Sequence, residues 1–474
     1  MRPPLVTHYE YRDSTGNIKS HLTTPSILAE ESTRRPVDNV QVRGTSAWGL
    51  SAPRNVETRC GAALAAIGTI SLLVACRHAP VSDHGFERTD SAGIAITQSF
   101  RPSWADRCAW TVAPTPSLTI GAMHGPTPYS FDRIMSVRRL RDGGWVVGNM
   151  GDNTLRFYDE FGNVRPQAGG SGGGPSEFQQ ILGIEPYGQH LLVRQFGFNP
   201  NKVFAEDGSF IESLPVPHVS SVPPSTIGVF ADRSLMLVAW PDAFPRTPGI
   251  AVKDATFFRV TADQTDRLLS LPAIRFVDVD PYPVPQEFGP RPAWVVADSL
   301  FYYGWTETFD IAAYDKNGAL RQRIRRPSSP TPVTSEHKAR YRNYMLRGSP
   351  GGSVPSRVME QRRAIVDAMV FPPFHPVHGS MLVDGQGNLW VERSDSADYR
   401  HYQRSYNPVT SSPTSWDVFD PTGVWYGTVI LPARFLLMQI GDDQIAGIWK
   451  NASDVEFVHV YGLRKPCTRH ALLY

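Results

Sequence analysis

The first candidate for chemistry is a glycine-rich segment, residues 169–178, with the sequence GGSGGGPSEF. Exposed backbone N–H groups in such a segment can bind an anion. It is not a phosphate loop, because no Gly-Lys-Ser/Thr follows it and Pro175 interrupts the pattern. It also lacks the strand-to-helix setting of a dinucleotide fingerprint. We therefore interpret it as a tight connection between strands, with Gly172, Gly173 and Gly174 as the candidate anion-binding backbone.

Two short patterns contain metal-ligand residue types. His375 and His378, in His-Pro-Val-His, have a spacing that could chelate a metal. A zinc site needs three or four ligands, and no other Cys or His pattern accompanies this pair, so loop packing is the better interpretation. Asp278 and Asp280 could share one face of an extended chain, but a lone pair of this kind is typical of a solvated loop. Neither pattern identifies a metal ligand.

Residues 384–388, Asp-Gly-Gln-Gly-Asn, resemble the start of a calcium loop but lack its distant bidentate Glu. We interpret them as a hairpin turn. The sequence contains no Gly-x-Ser-x-Gly elbow in a strand-to-helix setting and no His-Glu-x-x-His motif. It therefore names no catalytic and no metal-binding residue.

The composition favours many short strands. The chain has 474 residues, a net charge of +2, 39 Gly, 41 Pro and 11 Trp. Many turn residues combined with many aromatic residues favour strands joined by loops over helix bundles. Because the net charge is close to zero and the charged residues are scattered, nothing indicates a nucleic-acid partner.

The N-terminal part is expected to be an export signal. Residues 1–55 have little apolar periodicity, which predicts disorder. Arg54 and Arg59 precede an uncharged run, residues 61–75, which is too short for the roughly 20 residues of a transmembrane helix. The run fits the apolar region of a secretory signal peptide. Because such a peptide belongs at the N-terminus, we hypothesise that translation begins at Val56 and that the preceding segment is not made.

Residues 73–76, Leu-Val-Ala-Cys, resemble the bacterial lipobox. The resemblance implies that residues 56–76 form a lipoprotein signal peptide, that Cys76 is acylated, and that residues 77–91 are a linker. The alternative is a buried apolar segment that ends in an ordinary cysteine. Two or more acyl chains hold a protein stably at a membrane. Since Arg77 rather than Asp follows the cysteine, we expect anchoring at the periplasmic or outer-membrane face of the cell envelope.

From residue 92 onward a strand phrase repeats. A turn rich in Asp, Gly or Asn precedes an apolar strand, and after a polar gap a second strand ends at another such turn. These turn residues supply the positive φ that tight hairpins need. About six copies, each several tens of residues long, predict four-stranded sheets arranged radially. The copies are marked by Asp142, Leu191, Asp232, Ser299, Asp384 and Asp442.

The predicted fold is therefore all-β: one six-bladed β-propeller over residues 92–465. The strands at 92–97 and 118–121 have no complete blade of their own, and an N-terminal strand often completes the last blade of a propeller. Helical periodicity predicts a small helical insertion at residues 334–370. The Pro-rich residues 279–292 predict a separate, loop-like insertion.

These features resemble a family of bacterial six-bladed β-propeller proteins related to the NHL-repeat group. The resemblance covers residues 85–465 and rests on three features: the Trp-Val phrases at 142–146 and 387–391, the glycine-rich segment at 169–178, and the helical insertion. Ser176 stands where the family has Gly. The resemblance implies the fold but no particular activity.

The four cysteines then have different expected roles. Cys60 would leave with the signal peptide and Cys76 would be acylated, so Cys108 and Cys467 would remain in an oxidising compartment. A propeller brings its two ends together, so we expect these two cysteines to form a disulfide. Two separate thiols are the alternative.

The predicted function is binding. We expect a monomeric, non-catalytic binding or scaffold module at the cell envelope, with an envelope protein or a small molecule as its partner and no cofactor. The alternative is a lactonase- or lyase-like propeller enzyme with a divalent metal such as calcium at the central channel. An enzyme would place Asp, Glu, Asn or His side chains from several blades around the axis, whereas a scaffold would have a plugged or apolar channel.

Overall fold

The computed structural model describes residues 9–12, 18–21, 85–241, 249–279, 283–347, 354–394 and 411–467. The predicted signal peptide, the proposed start at Val56 and the acylation site Cys76 lie outside the described residues. Within the N-terminal extension, Tyr9–Arg12 pairs antiparallel with Ile18–His21. No helix in the described part of the chain is long and apolar enough to cross a bilayer.

The described chain is mostly β, and from residue 134 onward its strands belong to six successive sheets. Sheet 1 consists of Ile134–Arg139, Trp145–Asn149, Thr154–Tyr158 and Ala168–Gly169. Sheet 2 consists of Ile181–Tyr187, His190–Gln195, Asn201–Phe204 and Phe210–Leu214. Sheet 3 consists of Ser225–Val229, Leu235–Ala239, Ile250–Val260, Thr265–Val277 and Val284–Pro285.

The other three sheets follow the same order along the chain. Sheet 4 contains Pro292–Ala297, Leu300–Trp305, Asp310–Asp315 and Leu320–Arg325. Sheet 5 contains His378–Val383, Leu389–Arg393, Thr414–Phe419 and Trp425–Leu431. Sheet 6 contains Phe435–Ile440, Gln444–Lys450 and Glu456–Arg464.

The six sheets form a closed ring. The first strand of each sheet contacts the first strand of the next sheet, and the first strand of sheet 6 contacts that of sheet 1. Because the strands within each sheet alternate in direction, the turns between strands 1 and 2 and between strands 3 and 4 lie on one side of the ring, which we call the turn face. The connections between strands 2 and 3 and the links between sheets lie on the other side, which we call the link face.

The middle strands are buried between neighbouring sheets. Every residue of Trp145–Asn149 and of Leu235–Ala239 is buried. The sequences of such strands are continuous apolar runs because neighbouring sheets cover both faces of each strand. Aromatic rings fill the space between sheets. Between sheets 4 and 5, for example, the ring centroids of Phe309 and Phe419 are 5.5 Å apart.

Aspartates hold the hairpins of the turn face. The carboxylates of Asp159, Asp384 and Asp420 each accept hydrogen bonds of 2.8–3.0 Å from the backbone N–H groups two and four residues further on. Side-chain acceptors of this kind stabilise tight turns. The prediction that residues 384–388 form a hairpin turn is confirmed, since the flanking strands pair antiparallel.

The four strands that precede sheet 1 join two different sheets. Leu118–Ile120 pairs with Glu456–Arg464 and so adds to the edge of sheet 6, as does the short strand Thr111–Val112. Ile94–Ser99 instead pairs in parallel with the last strand of sheet 4. Phe86–Ser91 pairs antiparallel with the other edge of Ile94–Ser99 and so becomes the outermost strand of that sheet. The expectation that an N-terminal strand completes the last sheet is met by Leu118–Ile120, whereas Ile94–Ser99, from the other predicted strand, joins sheet 4.

A disulfide links the two ends of the ring. Cys108, in the short 3₁₀ turn Asp106–Cys108, is bonded to Cys467, with 5.2 Å between their Cα atoms and a sequence separation of 359. A second 3₁₀ turn, Thr127–Tyr129, lies on the path into sheet 1.

Two insertions pack together on the link face. The helices are α1 (Ser335–Met345) and α2 (Ser356–Ala368), both within the insertion predicted at 334–370. They share one apolar cluster with the end of sheet 3 and with Phe288. Val279, Val284 and Phe288, from the stretch predicted as a separate insertion, thus supply part of the same small core. We call α1, α2 and residues 283–289 the cap.

Candidate functional site

The glycine-rich segment binds a carboxylate of the chain itself. The N–H of Gly174 donates to Glu177 Oε2 at 2.8 Å, and the N–H of Gly172 donates to the carbonyl of Phe178 at 3.0 Å. The ammonium group of Lys202 donates to the carbonyls of Gly174 and Glu177. The segment, which includes Gly172, Gly173 and Gly174, links sheet 1 to sheet 2 on the link face.

The two histidines near residue 376 lie in different surroundings. His375 Nε2 lies 2.9 Å from Nδ1 of His337 in α1, and its ring packs edge-on against Phe288 of the cap. His378 begins sheet 5 and is 1% exposed. Burial lowers the pKa of each histidine to about 4, so both are neutral near pH 7. His375 thus packs between α1 and Phe288.

Acidic residues and histidines do not cluster in the described residues: no group of three or more His, Cys, Asp or Glu side chains there could hold a metal ion. Asp278 lies in the described chain near the cap, whereas Asp280 lies outside it.

The link face contains a cavity of about 480 Å³ between the first strands of sheets 4, 5 and 6. Pro292, His378 and Phe435, which begin these three strands, all line it. Its wall combines aromatic and charged side chains, notably Trp294, Trp416, Phe435, Arg291, Glu392 and Arg393.

The first strands of sheets 1–3 are instead tied together by an ionic chain. Arg138 donates to the carbonyl of Ile184 at 2.9 Å and pairs with Glu185 at 2.7 Å. Glu185 also pairs with Arg194 at 3.1 Å, and Arg194 donates to the carbonyl of Thr226 at 2.9 Å. The carboxylate of Glu185 is thus held between two guanidinium groups, and the cavity is confined to the other half of the ring.

Glu392 has a structural partner as well as a place in the cavity wall. Asn149, Gln195 and Thr306, at the ends of second strands, each accept a hydrogen bond from a backbone N–H just before the first strand of the same sheet. Glu392 takes this role in sheet 5 by accepting from the N–H of Ser380 at 3.2 Å. Unlike the other three side chains it is a carboxylate, and it is 8% exposed.

Glycines make room for two wall residues. A Cβ atom at position 379 would lie 2.7 Å from Glu392 Oε2, and one at position 304 would lie 2.7 Å from His378 Cε1. Both distances are shorter than real Cβ contacts, so Gly379 and Gly304 allow these side chains to occupy their positions.

A buried ion pair lies close to His378. Arg326, which follows the last strand of sheet 4, pairs with Asp417 of sheet 5 at 3.1 Å. Its guanidinium group also packs on the rings of Phe309 and Trp425. The charge of Arg326 adds to burial in lowering the pKa of His378. This pair joins sheets 4 and 5 next to the cavity.

Sequence reasoning identified only His378 among the cavity residues. The others share positions rather than a motif. They lie at the first strands of sheets 4, 5 and 6, at the ends of the second strands of sheets 4 and 5, and at the start of the third strand of sheet 5. Aligning the copies and comparing these positions would have marked Glu392, since amides or a hydroxyl take its place in sheets 1, 2 and 4.

No family model matches this chain, and no curated protein matches it. Similar solved structures are of the β-propeller type. A putative exported protein from Bacteroides fragilis has 10% identity and a TM-score of 0.42, with 78% of this chain and 98% of that chain covered. A putative gluconolactonase has 12% identity and a TM-score of 0.36, with coverages of 73% and 93%. A PQQ-bound aldose sugar dehydrogenase from Streptomyces coelicolor has 10% identity and a TM-score of 0.37, with coverages of 75% and 99%.

Proposed function

We propose that this chain is an exported, lipid-anchored six-bladed β-propeller that binds a small organic molecule in the cavity between sheets 4, 5 and 6. The closed ring of six sheets supports the blade count, since each sheet then corresponds to one blade. The cavity is the observation on which the binding function rests. Its volume of about 480 Å³ lies within the range of roughly 300–1,000 Å³ typical of small-molecule sites.

Two independent features support export. The lipobox-like residues 73–76 follow an apolar run, and the pairing of Cys108 with Cys467 suits an oxidising compartment. Acylation at Cys76 would then anchor the propeller at the cell envelope.

Binding is favoured over the metal-dependent enzyme because of how the acidic residues near the axis are engaged. Two arginines hold Glu185, and the N–H of Ser380 engages Glu392. A metal site at the axis would need such carboxylates to converge on one ion. The two carboxylates instead lie in opposite halves of the ring, in sheets 2 and 5.

The proposal can be tested by filling the cavity. Ser380 is exposed and lines the cavity, so the bulky side chain in Ser380→Trp should occupy part of its volume. Saturation-transfer NMR of the full chain with a library of neutral, anionic and cationic ring fragments should reveal compounds that bind the wild type and lose their signal in this variant.

The matched control is Ser213→Trp, at an exposed strand position of sheet 2 remote from the cavity lining. This variant should keep every fragment signal of the wild type. If the same fragments bind Ser380→Trp as well as the wild type, the cavity is not the binding site and the proposal is wrong.

A further inference from the structure

The cap concentrates positive charge. Its two helices and the residues between them, 335–368, contain seven Lys or Arg residues and three Asp or Glu residues, a net charge of +4. The whole chain has a net charge of +2, so the remaining residues sum to a negative charge. Two of the three acidic side chains are already engaged, since Glu336 pairs with Arg340 and Asp367 pairs with Arg342.

Three of the other arginines face solvent. Arg347 follows α1, and Arg357 and Arg363 belong to α2. All three are exposed, and none forms an ion pair within the described part of the chain. The opposite sides of the helices are buried, because Tyr341 and Val366 pack into the apolar cluster that joins the cap to the end of sheet 3. The cap thus presents uncompensated positive charge to a partner.

Exposed apolar side chains belong to the same part of the chain. Tyr344 lies in α1, and Val370 and Phe374 follow α2; all three are exposed. Basic side chains together with aromatic and aliphatic ones are typical of segments that lie at a membrane interface. A hydrophilic polyanion would engage the arginines but not the apolar groups. The combination therefore favours an anionic lipid surface as the partner.

The chain enters the propeller at the end of sheet 4 that leads to the cap. Phe86 pairs with Ser99. The neighbouring Gln98 pairs with Arg325, where the last strand of sheet 4 ends, and α1 begins ten residues later. Cys76 precedes Phe86 by ten residues, a length of chain that spans at most about 35 Å. Acyl chains on Cys76 would therefore keep a bilayer within reach of the cap.

We propose that the cap docks on a membrane surface that contains anionic lipid, with Arg347, Arg357 and Arg363 at the headgroups. A basic patch of this kind supplements an acyl anchor, because a lipidated protein gains stable attachment from a second membrane signal. The proposal goes beyond ligand binding and rests on the proposed function only for the anchor at Cys76. The contact of the cap itself can be tested without acylation.

The test measures binding of the full chain, produced without acyl groups, to sedimented vesicles. One set contains equal parts of phosphatidylcholine and phosphatidylglycerol, and the other contains phosphatidylcholine alone. The triple variant Arg347→Gln, Arg357→Gln, Arg363→Gln should bind the mixed vesicles about tenfold or more weakly than the wild type, and the two should bind phosphatidylcholine equally. Salt should reduce the difference by screening. The apolar run at 61–75 is identical in both chains, so the difference reports the cap.

The matched control removes the same charge from the turn face. Arg233, Arg267 and Arg464 are exposed and lie at hairpin ends on that face. The triple variant Arg233→Gln, Arg267→Gln, Arg464→Gln should bind mixed vesicles like the wild type. Replacing the three cap arginines with lysine keeps their charge and should also preserve binding. Hydrogen exchange on mixed vesicles should become slower in α1 and α2 and stay unchanged in the hairpins of the turn face.

The outcomes separate this proposal from the others. Equal losses in the two glutamine variants would show that binding follows net charge, and unchanged binding of the cap variant would show that the cap makes no contact; either result makes the proposal wrong. Cap-dependent binding to soluble polyphosphate as tight as to mixed vesicles would assign the surface to a polyanion instead. Acylation is checked separately by the mass of the Cys76 peptide from cells. An acylated Cys76 without cap-dependent binding leaves the proposed anchor standing and overturns only the docking of the cap.

Discussion

At the scale of single residues, the ion pair next to the cavity joins two sheets. Asp417 is 0% exposed and lies 3.1 Å from Arg326, which comes from the preceding sheet. Its second oxygen accepts from the hydroxyl of Thr428 at 2.7 Å. Taking charges out of water is costly, and the loss of one partner leaves the other charge uncompensated. This pair should therefore matter far more to stability than the exposed ion pairs.

Asp417→Asn should lower the free energy of unfolding by about 3–5 kcal/mol, because it removes the carboxylate charge opposite Arg326. Urea unfolding followed by tryptophan fluorescence measures this change. The control is Glu336→Gln, which breaks the exposed pair with Arg340 and should leave the free energy of unfolding almost unchanged, because water screens this pair. Equal effects of the two substitutions would contradict the assignment.

Sequence reasoning at this scale succeeded at turns and failed at the cavity. The aspartates at 159, 384 and 420 act on amides within four residues, so local spacing reveals the turn. The cavity residues lie between 291 and 437 and meet only after three sheets have packed. A contact between residues so far apart leaves no local pattern.

At the scale of elements, helix α1 has a complete N-terminal cap. The Thr334 hydroxyl accepts from the N–H of His337 at 3.3 Å, and His337 Nδ1 accepts from the N–H of Thr334 at 3.1 Å. This reciprocal pair is a capping box. Because Nδ1 is already an acceptor, His375 must donate to it from Nε2, which joins the cap to the strand entering sheet 5.

Thr334→Ala should destabilise α1 by about 1 kcal/mol. The N–H of His337 loses the hydroxyl that accepts its hydrogen bond, and the reciprocal bond from the N–H of Thr334 to His337 Nδ1 is weakened. Hydrogen exchange should show faster exchange in α1 and around Phe288, with sheets 1 and 2 unaffected. Ser356→Ala is the control, since α2 starts at Ser356 without a side-chain cap. Unchanged exchange in α1 would show that the capping box does not stabilise the helix.

The strand pairings of the N-terminal segment show that the sequence of a strand does not reveal which sheet it joins. The apolar patterns of residues 92–97 and 118–121 predict strands, and strands form at Ile94–Ser99 and Leu118–Ile120. Which sheet edge receives each strand depends on which edge is still unpaired, and that is a property of the assembled ring.

At the scale of the whole molecule, the disulfide closes a loop of 359 residues. A cross-link stabilises a protein mainly by restricting its unfolded chain, and longer loops give larger effects in that model. Two features link the N-terminal strands to the end of the chain. Leu118–Ile120 pairs with the last strand of sheet 6, and the disulfide joins Cys108 to Cys467 covalently.

The double variant Cys108→Ser, Cys467→Ser should lower the free energy of unfolding by about 2–5 kcal/mol. Chemical denaturation in the absence of reductant measures the change. Wild-type protein unfolded with a thiol reductant should show the same loss, and the double variant should be insensitive to the reductant. An unfolding midpoint of the wild type that does not respond to reduction would contradict this prediction.

The sequence by itself determined the all-β class, the repeated strand phrase, the hairpin turns and the helical insertion. Each of these depends on residue preferences and periodicity over a few neighbouring positions. Only the tertiary structure decided that two insertions form one cap, that residues 94–99 join sheet 4, and that a cavity lies beside His378 and Glu392. These features arise where separate sheets meet, because side chains distant in sequence become neighbours only when the ring closes.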